Sequence, residues 1–168
     1  HATIRRQRQM CIRDRFGRLG FTDDEIRRIN PAAIVVHTSL LASGGPLSEI
    51  AGYGYHAGAM AGFYEVVGWD DMPPDGPYLA YTDTIAPRFI TPTLLAAIAQ
   101  RERTGEGCVI EVAQLECGLQ LLAPEFLDLQ LNGVAATRHG NRDVTVAPQG
   151  MYPCLGDDRW CAISVVDD

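Results

Sequence analysis

A chain of 168 residues, 46% apolar and 21% charged, has room for one domain with a real core. Its net charge of −7 argues against nucleic acid as a partner, and no apolar run approaches the roughly 20 residues that a membrane span needs. Five cysteines, with no CxxC pair among them, read as reduced thiols of a cytoplasmic protein.

The charge is unevenly spread. All 14 basic residues are arginines, and five of them (Arg5, Arg6, Arg8, Arg13, Arg15) fall within residues 1–15. The remaining nine face 20 acids, a net of −11. No apolar stretch follows the arginine cluster, as it would in a secretory signal. The run RQRQMCIRDR at 6–15 resembles a translated sequencing adapter, so residues 1–15 are read as a non-native or disordered basic segment and set apart from the fold.

Thr22 begins a capping box completed by Glu25, which predicts a short helix stopped by Asn30-Pro31. The apolar, β-branched run at 33–38 (AIVVHT) predicts a strand buried on both faces. Residues 53–67 predict one helix dense in glycine and alanine, suited to close backbone packing. Proline, glycine and acids at 70–77 make turns, and 78–82 reads as a strand end. A helix is predicted over 84–103, bent at Pro92 and closed by Gly105. A second buried strand at 109–112 and a helix over 115–131 follow. Beyond a polar loop at 139–150, a hairpin turns around Gly156-Asp157-Asp158. Strands alternating with helices imply an α/β fold with a mainly parallel sheet. Ending at Asp168 directly after a strand, with no covering helix, the chain reads as an internal fragment.

Most chemical motifs fail on spacing. Gly52-Tyr-Gly-Tyr-His-Ala-Gly58 misses the GxGxxG interval and does not directly follow a strand. There is no GxSxG, Walker loop or HExxH, and the four histidines lack ligand spacing, so no metal site is expected. Asp83 stands just ahead of a predicted helix, where an acid is most simply an N-cap. The same position favours a carboxylate through the helix dipole, and an ionised carboxylate can act as a nucleophile. Local sequence leaves both readings open.

Taken in order, several segments resemble the CoA-transferase family III proteins, the family of formyl-CoA transferase, carnitine CoA-transferases and α-methylacyl-CoA racemase. They are NPxxIVV from Asn30, Gly45-Pro46, GYG from Gly52, and YTDT at Tyr81–Thr84. LLAAIAxRxRTGEGxVIEV from Leu94 to Val112, RHGNR from Arg138 and APQGMYPC ending at Cys154 complete the series, which spans nearly all of 29–166. The resemblance implies part of a Rossmann-like large domain at 16–138, then a linker loop and the start of a small domain at 139–168. It puts Asp83 on the catalytic aspartate and Ala51, Gly52, Tyr53 and Gly54 on the wall of the coenzyme A pocket. The loop holding His139, Gly140, Asn141, Gln149 and Gly150 falls where the transferases close over the acyl intermediate. Here the chain departs from members with a glycine run, reading DVTVAP at 143–148.

The implied reaction is transfer of CoA from a thioester to a carboxylic acid through an aspartyl anhydride and an aspartyl thioester. The CoA thioester is a substrate, no permanently bound cofactor is implied, and the full-length protein is expected to be an interlocked homodimer. In that mechanism amides near Gly52, Gly54 and Gly150 are expected to stabilise the oxyanions, each such donor being worth about 3–4 kcal/mol. Two alternatives stand beside it: racemase-type proton transfer, and a non-catalytic fragment or assembly subunit. The racemase members place a histidine directly after the glycine that Gly52 matches. Here that position is Tyr53, with His56 three residues further on.

Overall fold

The computed structural model describes residues 17–143 and 145–166, so the basic segment at 1–15 lies outside the described residues. Helix α1 (Asp23–Ile29) starts as its capping box predicts: Thr22 Oγ1 accepts from the Glu25 amide at 3.2 Å. Strand β1 (Val35–Ser39) follows, and β2 (Val109–Ala113) pairs with it in parallel, Val35 opposite Val109 and Ser39 opposite Ala113. The parallel pair and its crossover helices make this an α/β fold.

Between the strands run α2 (Gly54–Ala61), α3 (Phe63–Val66) and the long α4 (Tyr81–Thr104). After β2 come α5 (Gln114–Leu121) and α6 (Ala123–Asn132), then an antiparallel hairpin of β3 (Gln149–Pro153) and β4 (Trp160–Ser164).

Four expectations need correction. The helix predicted over 53–67 is two, because Gly62 adopts φ of +102° and ends α2. The helix predicted over 115–131 also divides, at Leu122, with Pro124 opening the next helix, where its missing N–H costs nothing. Residues 78–82 are not a strand end: α4 has already begun at Tyr81, with Ala80 as its N-cap. Neither strand is buried on both faces: β1 is half-buried, Val109 and Glu111 of β2 are exposed, and among the described residues the sheet has only these two strands. Pro92, where a bend was expected, lies within the continuous helix α4, and Gly105 closes that helix in the left-handed conformation.

The core sits where α2, α3, α4 and α5 converge. Ala61, Phe63, Ile85, Ala86, Cys117 and Leu122 form its buried cluster, and Tyr81 meets Phe63 edge-on at 5.3 Å. Small residues let the helices approach: the buried side of α2 is Gly54, Ala57, Gly58 and Ala61, and Gly118 of α5 faces Ala61 and Phe63. Of the described helices, none is long and apolar enough to cross a membrane.

Candidate active site

Three helix starts meet beside the carboxyl end of β2. Thr82, wholly buried on the first turn of α4, donates its hydroxyl to the Gly54 carbonyl at the start of α2, at 2.9 Å. The same hydroxyl lies 3.2 Å from Oε1 of Gln114, the first residue of α5. A residue directly after a parallel strand lies at the sheet edge where α/β proteins bind their ligands.

Asp83 occupies this junction. It is not the N-cap that its local sequence suggests, but the third residue of α4, its amide bonded to the Ala80 carbonyl at 2.9 Å. In the first turn, its exposed carboxylate still benefits from the positive end of the helix dipole. Gln114 Nε2 donates to Oδ1 at 2.5 Å. The other oxygen rests against Gly54: a Cβ there would stand 2.7 Å from Oδ2 and 2.9 Å from the Ala80 Cβ. Only glycine admits the carboxylate in this position.

The four residues predicted to line the CoA pocket lead into α2. Gly54 touches Asp83, while Gly52 packs over Leu40 and His56. Ala51 and Tyr53 are exposed. The Tyr53 amide donates to His56 Nδ1 at 3.0 Å, half of a capping box. An acceptor Nδ1 puts the proton of the neutral imidazole on Nε2, which makes that nitrogen a donor.

The predicted active-site loop is anchored elsewhere. The Gly140 amide donates to the Gly68 carbonyl at 2.8 Å, and a Cβ at Gly140 would collide with the Trp69 ring. Arg138 donates to the carbonyls of Tyr64 and Trp69, and Arg142 pairs with Asp70, holding that carboxyl below its ordinary range through a hydrogen bond and charge attraction. His139 is exposed and its carbonyl accepts from Arg142. Gly140, Asn141, Gln149 and Gly150 come together along an open depression of about 420 Å³ against the hairpin. The contacts that fix this loop run to residues 64–70, not to Asp83.

Sequence reading missed Thr82 and Gln114. Thr82 lies inside the YTDT motif, next to Asp83, which was the signal available. Gln114 stands 31 residues from Asp83, and only the parallel pairing of β2 with β1 carries it there. Cys117 is no rival nucleophile, since burial, and then the charge of Glu116, push its thiol up. Among the described residues no three His, Cys, Asp or Glu side chains gather as a metal site.

The chain belongs to CoA-transferase family III, whose sequence pattern matches residues 13–168. It is 32% identical over 145 residues to succinyl-CoA–D-citramalate CoA-transferase of Chloroflexus aurantiacus, covering 86% of this chain and 36% of that protein. With acetyl-CoA:oxalate CoA-transferase of Acetobacter aceti it shares 31% identity over 153 residues, covering 84% of this chain and 39% of the relative. A crystal structure of a CAIB/BAIF family protein from Brucella suis superposes with a TM-score of 0.76 at 25% identity, covering 82% of this chain and 36% of that one. The chain thus spans little more than a third of these relatives' length.

Proposed function

We propose that the full-length protein carrying this sequence moves coenzyme A from an acyl-CoA thioester to a carboxylic acid, with Asp83 as nucleophile. The observation that carries this reading is the carboxylate itself: exposed, in the first turn of a helix, held by one amide and seated against a glycine. A nucleophile needs that combination of access and fixed aim.

In the proposed reaction an Asp83 oxygen attacks the thioester carbonyl, the C–S bond breaks, and CoA leaves as the thiolate. The thiolate then attacks the aspartyl carbonyl of the anhydride, releasing the donor acid and leaving an aspartyl thioester. The acceptor carboxylate runs the sequence in reverse. No ATP is required, because the activated carbonyl passes on covalently. Within the same reading, residues 16–138 belong to a Rossmann-like large domain and 139–168 begin a small one. The loop of His139, Gly140, Asn141, Gln149 and Gly150 closes over the intermediate, and the protein works as an interlocked homodimer in the cytoplasm.

The racemase alternative is disfavoured by the hydrogen bond on His56. Proton transfer at the α-carbon needs a base with a free lone pair on each face. The Nδ1 lone pair of His56 is engaged by the Tyr53 amide, its Nε2 carries the proton, and Tyr53 itself is a phenol.

Asp83→Asn tests the assignment in the full-length protein. Asn keeps an oxygen for the Gln114 donor, so the melting temperature should hold while transfer falls by about 10⁴-fold or more. Hydroxylamine added with acyl-CoA should leave a hydroxamate on the peptide containing Asp83. Retained transfer in the Asn variant, or a label on another acid, would move the nucleophile. Deuterium entering the α-carbon of a 2-methylacyl-CoA without an acceptor acid would restore the racemase.

A further inference from the structure

We infer that Gln114 is the positioning residue of the nucleophile: it holds Oδ1 of Asp83 and stays on that oxygen as charge develops there. The inference rests on the aspartyl reading above and deepens it.

The orientation of the Gln114 amide follows from its neighbour Asp83. Its Oε1 lies 3.2 Å from the Thr82 hydroxyl and its Nε2 lies 2.5 Å from Asp83 Oδ1. Turning the amide over would set Oε1 against a carboxylate oxygen, two acceptors face to face. Donation to an ionised acceptor is the stronger interaction, so the observed orientation is held. Thr82 cannot drift, being fully buried and bonded to the Gly54 carbonyl. Gln114 therefore packs against a fixed side chain of the element that also carries the nucleophile.

That donor has its use in the steps at the aspartyl carbonyl. While Asp83 attacks, Oδ2 forms the new bond to the donor's carbonyl carbon and the C–S bond breaks, its electron pair leaving on the CoA sulfur. Oδ2 is now the bridging oxygen of the anhydride, and Oδ1 is the carbonyl oxygen of the aspartyl group. When the thiolate attacks the aspartyl carbon, the electron pair of that carbonyl moves onto Oδ1, where the Gln114 N–H already points. The Cγ–Oδ2 bond then breaks and the donor acid departs with Oδ2. The acceptor carboxylate meets the same Oδ1 when it attacks the aspartyl thioester. A donor placed in advance on an oxygen that gains charge accelerates the step in which the charge appears.

The test uses the full-length protein and two variants. Gln114→Met keeps the length and removes the donor. Gln114→Glu keeps an oxygen beside Thr82 and replaces the donor with an acceptor, so it serves if the Met variant fails to fold. In whichever variant folds, kcat should fall by about 100-fold while KM for acyl-CoA stays within about threefold, because the lost donor serves the steps that return charge to Oδ1 and does not touch bound acyl-CoA. A kcat within about threefold of the parent overturns the inference, and so does a loss carried by KM alone. Hydroxylamine trapping on the parent separates the two readings. A hydroxamate on Asp83 with a fast Gln114 variant removes only the role of Gln114. No hydroxamate on Asp83 in the parent removes the aspartyl reading beneath it.

Discussion

The junction at Thr82 and the hairpin of β3 and β4 are built in opposite ways. At the junction, residues from α2, α4 and α5 meet within hydrogen-bond distance around a wholly buried hydroxyl, and each is far from the others in the chain. In the hairpin the partners are sequence neighbours, Pro153 opposite Trp160, and all of β4 is exposed. Leu155 at its turn is 99% exposed. The loop leading to the hairpin is tied down by the exposed pair of Arg142 with Asp70 and by the half-buried Arg138, which donates to the carbonyls of Tyr64 and Trp69. A site that must hold a carboxylate in one pose needs the first kind of construction, where moving one group disturbs several. The second kind suits a segment that has to move during turnover, and that is how the proposed loop closure would use it.

If the junction is built this tightly, its glycine should be the most sensitive position. In Gly54→Ala the new methyl would stand 2.7 Å from Asp83 Oδ2 and 2.9 Å from the Ala80 Cβ. Overpacking of this kind costs about 1–3 kcal/mol, and displacing the carboxylate should lower kcat by about 100-fold. Transfer rates and thermal melts of the full-length variant check both parts; an Ala variant at full activity would show that the carboxylate has room to spare.

A smaller loss is expected from Thr82→Val. The volume is kept, but the Gly54 carbonyl loses its donor inside the core, at a cost of about 1–3 kcal/mol with a lower melting temperature. Thr82→Ser, which retains the hydroxyl, should recover most of this. A larger loss in Ser than in Val would mean that the methyl group, near the Gly118 backbone, matters more than the bond.

The smallest effect belongs to the second region. The partner of Arg142, Asp70, is exposed and has its carboxyl held below the ordinary range, so the pair favours the folded state above the unfolded carboxylate value near 4. The contribution fades as pH falls through the lowered folded value. In Arg142→Gln the Asp70 carboxyl should titrate closer to its ordinary range in an NMR titration. The stability difference from the parent should be small, shrink in high salt, and vanish at low pH. A large, salt-independent destabilisation would show that the loop is held as firmly as the junction.

Much of this molecule was legible in the chain itself. The capping box at Thr22, the β-branched runs that became β1 and β2, the closing Gly105 and the hairpin turn are local features, governed by side chains within a few residues of one another. The YTDT motif singled out Asp83 for the same reason, because the signal lay in adjacent residues. What tertiary structure decided was how those pieces meet. Ala80, not Asp83, caps α4, because the helix begins three residues earlier than its apolar pattern announces. Gly54 is a glycine because a carboxylate 29 residues away fills the space of its side chain, and Gln114 is a partner because a parallel strand pair delivers it. Such contacts leave no period in the sequence. They depend on the packing of whole helices, and a hydrogen bond between residues 31 apart exists only once that packing has formed.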